Sequence, residues 1–135
     1  MKLMTFISLL FICPTIAHSA EKWLCTAEAA GGVLLQNGEW EGKAFKTNSK
    51  YAIAPPTNPL DKTPYLVTKL GREISKLRCD QISSGEGLVC TGWADFRFSG
   101  KNDPTFTAIF KKSNNPHEHK KLVSAHVEIG SCRPF

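Results

Sequence analysis

The sequence predicts an all-β fold: an antiparallel meander barrel of about eight or nine short strands, with a β-sandwich as the alternative. Three observations predict it. Apolar residues alternate with period two along most of the chain. Turn-forming residues recur between the alternating runs at short, regular spacing. No stretch carries a helical apolar stripe with caps at both ends, although Ile74, Leu77 and Arg78 allow one isolated turn.

Taken in order, the expected strands are Trp23–Ala27, Val33–Gln36, Trp40–Phe45, Lys50–Ala54, Tyr65–Leu70 and Glu73–Cys79. Gly31-Gly32, Asn37-Gly38, Asn48-Ser49 and Gly71 punctuate them as turn chemistry. Gly92–Phe98 places Ala94, Phe96 and Phe98 on one face and Trp93, Asp95 and Arg97 on the other. Phe106, Ala108 and Phe110 align in the next run. In the last run, Val123, Ala125, Val127 and Ile129 are expected inward, with Ser124, His126 and Glu128 outward. Pro55–Pro64 carries four prolines in ten residues and can enter neither a helix nor a central strand. It is expected either as a stiff connection or as a preordered rim for a partner.

Export is expected from the start of the chain. Lys2, the apolar run Phe6–Ile12 and the small residues Ala17, Ser19 and Ala20 have the layout of a signal peptide over residues 1–20, leaving 21–135 as a single β domain. Cys13 would leave with that segment, and bulky Ile12 before it does not suit lipid attachment. The other four cysteines then enter an oxidising compartment as two disulfides. A hairpin centred between Ser84 and Gly85 sets Cys79 opposite Cys90, so Cys25 pairs with Cys132 and ties the first strand to the last. That long tie suits a closed barrel, which hides its edges. The location is expected to be periplasmic or secreted.

The formal net charge is +5, to which Lys2 contributes one. This mild basicity serves solubility and allows weak contact with anionic surfaces. No basic stripe with interleaved aromatics is present, so nucleic acid is not an expected partner. Catalytic residues are not assigned: every mature cysteine is paired, and no Gly-x-Ser-x-Gly elbow occurs. His117, His119 and His126 are weak zinc or copper candidates, opposed by Lys120 and Lys121. Glu39 and Glu41 form the one close carboxylate pair, about 7 Å apart on a strand. No cofactor is expected. The binding candidates are Trp93, Asp95 and Arg97, with Pro55 and Pro56 from the proline-rich loop.

Several stretches resemble a group of small exported bacterial proteins of unknown function. They are Trp23–Ala27; Trp40 followed by Phe45 and Tyr51; Cys90-Thr91-Gly92 leading into Asp95–Phe98; and the closing Val127–Cys132. Ser99 stands where that group usually has Asn. The resemblance implies bacterial export and two bridges, and it carries no activity or site residues. The expected function is a monomeric, non-enzymatic binding protein. It would hold a small or envelope-derived ligand in a barrel mouth, or inhibit a protein partner through its loops. A small secreted hydrolase or metal-dependent enzyme and a cell-envelope-associated protein are the alternatives.

Overall fold

A computed structural model describes residues 21–71, 76–113 and 122–135. Their nine strands are β1 (Trp23–Gln36), β2 (Glu39–Phe45), β3 (Lys50–Ala54), β4 (Tyr65–Lys69), β5 (Leu77–Gln81), β6 (Gly87–Thr91), β7 (Asp95–Ser99), β8 (Thr105–Ser113) and β9 (Leu122–Pro134). The sheet order is β2-β1-β3-β4-β5-β6-β7-β8-β9, and a β1–β9 pairing closes it. Eight strands therefore form a closed antiparallel barrel, and β2 is an extra strand outside it. The sandwich alternative is excluded by that closure.

β1 explains the extra strand. Its first part, Trp23–Thr26, pairs with β3, while Ala30–Gln36 pairs with β2 on the same edge. The other edge of β1 runs along β9 for almost its whole length. A bulge between Ala27 and Ala29 separates the two halves. Beyond it, β1 and β9 continue past the barrel as an arm. The two short strands expected on either side of Gly31-Gly32 are thus one. These glycines do not turn the chain: a Cβ on Gly32 would lie 2.2 Å from the Ala125 carbonyl oxygen, so the residue permits close approach of β9. The real turn is Asn37-Gly38. Both residues have positive φ (49° and 87°), as a two-residue type I′ hairpin requires.

The barrel interior is filled by side chains, the usual state of eight strands. Tyr51, Ile53, Val67, Leu77, Phe96 and Ala108 are all fully buried. Phe96 stacks on Phe106 at 5.2 Å, and Tyr51 meets both rings edge-on. Ala94, Phe96 and Phe98 point inward as their alternation predicts. Both disulfides lie in this interior. Cys25–Cys132 and Cys79–Cys90 join residues directly opposite across neighbouring strands, with Cα–Cα distances of 3.9 and 4.0 Å. By loop entropy the short bridge contributes about 3 kcal/mol and the long one nearer 5.

Three expectations are corrected. In β9 the phase is reversed: Glu128 is buried at 6% exposure, whereas Ile129 is 49% exposed. Cys132 sets the parity, so Glu128 and His126 share its inward side. Trp93 does not share the solvent face of Asp95 and Arg97; it precedes β7 and packs partly buried against the core. The strand expected over Glu73–Cys79 is Leu77–Gln81, with residues 72–75 outside the described set.

Candidate functional site

The two ends of the barrel differ in chemistry. One end is reached by the start of β3 and the end of β4. There Tyr51 and Lys69 are register partners, so both point inward. Glu128 of β9 points in beside them. Its Oε1 accepts from Ser49 Oγ at 3.0 Å and Thr47 Oγ1 at 3.2 Å, and lies 3.8 Å from Lys69 Nζ. Its Oε2 accepts from the Tyr51 hydroxyl. The gap between β2 and β3 supplies the two hydroxyls, facing the bulge in β1. Lys69 Nζ also lies 5.4 Å from the Tyr51 ring centre and 5.2 Å from that of Phe110. Burial, then the hydrogen bond to Glu128 and its charge, push the Tyr51 phenol well above its ordinary value. Both carboxylate oxygens are occupied by the protein itself, which makes this cluster a polar seal.

Next to the seal, His126 stacks on Phe110 at 4.3 Å and meets Phe45 at 5.8 Å. Trp93 stacks on Phe110 and Tyr51. A groove of about 220 Å³ runs along this arm, lined by Leu34, Phe45, Lys46, His126 and Glu128.

The opposite end holds a larger cleft of about 480 Å³. Trp23, Tyr65, Leu88 and Phe98 are the last inward side chains of their strands and make its floor. Trp23 and Phe98 are in ring contact at 5.2 Å. Leu88 and Phe98 are buried, while Trp23 and Tyr65 are half-buried and present ring surface. The turn between β5 and β6 brings Gly85 and Glu86 to the rim, and the β7–β8 connection brings Lys101. Glu86 and Lys101 pair at 3.0 Å, both well exposed, so either can turn to a ligand. Gln81 and Glu21 add polar groups. An aromatic floor with few polar groups, in a few hundred Å³, is the make-up of a small-molecule site.

The binding residues expected from sequence do not converge. Trp93 lies at the sealed end. Asp95 and Arg97 are on the outer wall of β7, where Asp95 Oδ2 meets Lys111 Nζ at 2.7 Å. Pro55 and Pro56 are half-buried at the cleft end, because they follow the last residue of β3. Their loop is ordered by its own polar residues. Asn58 Oδ1 accepts from Leu60 N–H at 3.0 Å, and Asp61 Oδ1 from Thr63 N–H at 3.1 Å. The Thr63 amide holds the Asp61 carboxyl below the usual range, with Arg78 nearby a smaller influence. Leu60 at its tip is 85% exposed. Glu39 and Glu41 stand in solvent on β2 and line neither cleft. His117 and His119 lie outside the described residues. Among the described residues, no three His, Cys, Asp or Glu side chains converge on a possible metal position.

The fold class is thus a disulfide-tied, closed eight-stranded antiparallel barrel with one added strand, and its two bridges are consistent with an oxidising, extracytoplasmic location. No protein-family model, curated protein or solved structure matches the chain. The cleft floor was missed in the sequence: none of Trp23, Tyr65 and Phe98 is among the binding candidates read there. Its signal is parity: Trp23 lies two residues before Cys25, on the same inward face at the end of its strand.

Proposed function

We propose that this is an exported, non-enzymatic binding protein, periplasmic or secreted, that holds a small ring-bearing ligand in the open barrel mouth. One observation carries the reading: half-buried aromatic rings floor a cleft of about 480 Å³ whose rim offers Glu86, Lys101 and Gln81. Rings such as Trp23 and Tyr65 stack on the apolar faces of sugars and aromatic ligands. The filled interior puts the ligand on top of the core, so a polar rim stays within its reach. The test is a fluorescence titration with a panel of mono- and oligosaccharides and aromatic acids. A hit should saturate, and Trp23→Ala and Tyr65→Ala should each weaken it by about tenfold or more, while Trp40→Ala leaves it unchanged. Binding that survives both mouth substitutions would refute the site.

A second reading rests on Leu60. The loop that carries it is stiffened by prolines and by the Asn58 and Asp61 turns, so presenting that leucine to a protein partner costs little further ordering. Leu60→Ala would then abolish capture of the partner without changing thermal stability.

A further inference from the structure

β2 is an unusual edge. It is seven residues long, contains no proline, and is exposed along nearly its whole length. One side pairs with β1; the other pairs with no strand among the described residues. Such edges are normally shortened, bulged, blocked or charged, and this one carries charges of both signs in Glu39, Glu41 and Lys43.

Its backbone parity is set by the hairpin. Gln36 and Glu39 flank a two-residue turn, so they form a hydrogen-bonded pair. Glu39, Glu41, Lys43 and Phe45 therefore aim their amides and carbonyls at β1. Trp40, Gly42 and Ala44 aim theirs away from the barrel. An antiparallel partner must dock on those three residues.

We propose that the partner is the β2 of a second copy, paired about a two-fold axis at Gly42. This register matches the outward parity of Gly42, and it sets Glu41 opposite Lys43 of the other copy, twice. The two would form a non-hydrogen-bonded pair, in which side chains approach most closely. It also sets Trp40 opposite Ala44, with Gly42 beside it, so the one bulky side chain on that face meets the smallest. Neighbouring symmetric registers are worse. Centring on Glu41 opposes Glu41 to itself, centring on Lys43 opposes two lysines, and centring on Trp40 opposes Glu39 to Glu41. Trp40, 50% exposed, shares its face with Leu35 and Val33 of β1 and with Ala125 of β9, through the register of the three strands. Pairing would join two such apolar strips into one continuous sheet face. A Cβ at Gly42 meets nothing within 4 Å, so the sheet face above it leaves room for the Trp40 side chains on either side of the axis. The dimer is isologous, as most are, and the proposal departs from the monomer expected from sequence.

Sedimentation equilibrium of the purified chain tests this. The wild type should dimerise reversibly with concentration. Glu41→Lys and Lys43→Glu each place like charges opposite one another and should weaken the dimer by about tenfold, and the double variant should restore it. Gly42→Pro removes an N–H that points away from β1, which edge strands tolerate, and should leave a folded monomer by circular dichroism. A wild type that stays monomeric, single reversals without effect, or a double variant that fails to recover would each overturn the proposal. Ligand titrations at the mouth are independent of these outcomes.

Discussion

The two mouths of one barrel take opposite solutions to the same problem, which is how to end a filled core. At one, the inward positions are Lys69, Tyr51 and Glu128, and their polar atoms are spent on one another. At the other, the inward positions are Trp23, Tyr65 and Phe98, and the polar residues stand on the rim. The more conspicuous chemistry is at the sealed end, yet both oxygens of its carboxylate already accept hydrogen bonds from the protein. On the proposed reading, buried polarity serves stability at one mouth and half-buried rings serve binding at the other.

The sharpest way to break this contrast is to remove the seal. Glu128→Ala leaves the Tyr51 hydroxyl and the Lys69 ammonium without their acceptor in a largely buried site. The expected cost is about 3–5 kcal/mol, read as a lowered midpoint in denaturant, with ligand binding at the far mouth retained in the folded fraction. A cost below about 1 kcal/mol would mean that the cluster does not hold the barrel end together.

Alkaline pH sharpens the same point. Burial and Glu128 favour the protonated phenol of Tyr51 in the folded chain. A raised folded value means that the proton is held more tightly in the folded than in the unfolded state. The stability from this source is complete below the ordinary tyrosine value of about 10, and it is lost as pH rises from there toward the folded value. Tyr51→Phe removes one donor to Glu128, costs about 1–3 kcal/mol at neutral pH, and should flatten that alkaline loss. If denaturant midpoints of wild type and variant fall in parallel above pH 10, Tyr51 is not the titrating group.

Most of the barrel was legible, and particular residues show why. Phe96 and Phe98 alternate with Asp95 and Arg97, so their face followed from period two. Cys79 and Cys90 flank a turn symmetrically, so their pairing followed from register. β9 misled because its outward residues Val127 and Ile129 are more apolar than its inward Glu128 and His126. Hydrophobicity chose the wrong face there. The phase was available from Cys132, whose bridge to Cys25 forces it inward, and counting back in twos reaches Glu128. The cleft was less legible still. Trp23, Tyr65 and Phe98 come from three distant strands, and only barrel closure brings their ends together. Asn37-Gly38 and Gly32 show the limit of turn chemistry: the same residue type turned the chain in one place and admitted a neighbouring strand in the other.

The smallest effect is expected at the rim, and it tests the other half of the contrast. Glu86 and Lys101 form an ion pair at 3.0 Å, but their side chains are 50% and 61% exposed. Water and salt screen such a pair, and ordering two long side chains offsets part of its attraction. Glu86→Ala and Lys101→Ala should each change stability by less than about 1 kcal/mol, with the difference shrinking in high salt. Each should nevertheless weaken a ligand that the Trp23 floor binds, because these groups are free to exchange one another for it. A large loss of stability from either substitution would make the rim a second seal. Unchanged ligand affinity in both would leave the aromatic floor as the only determinant of binding at this mouth.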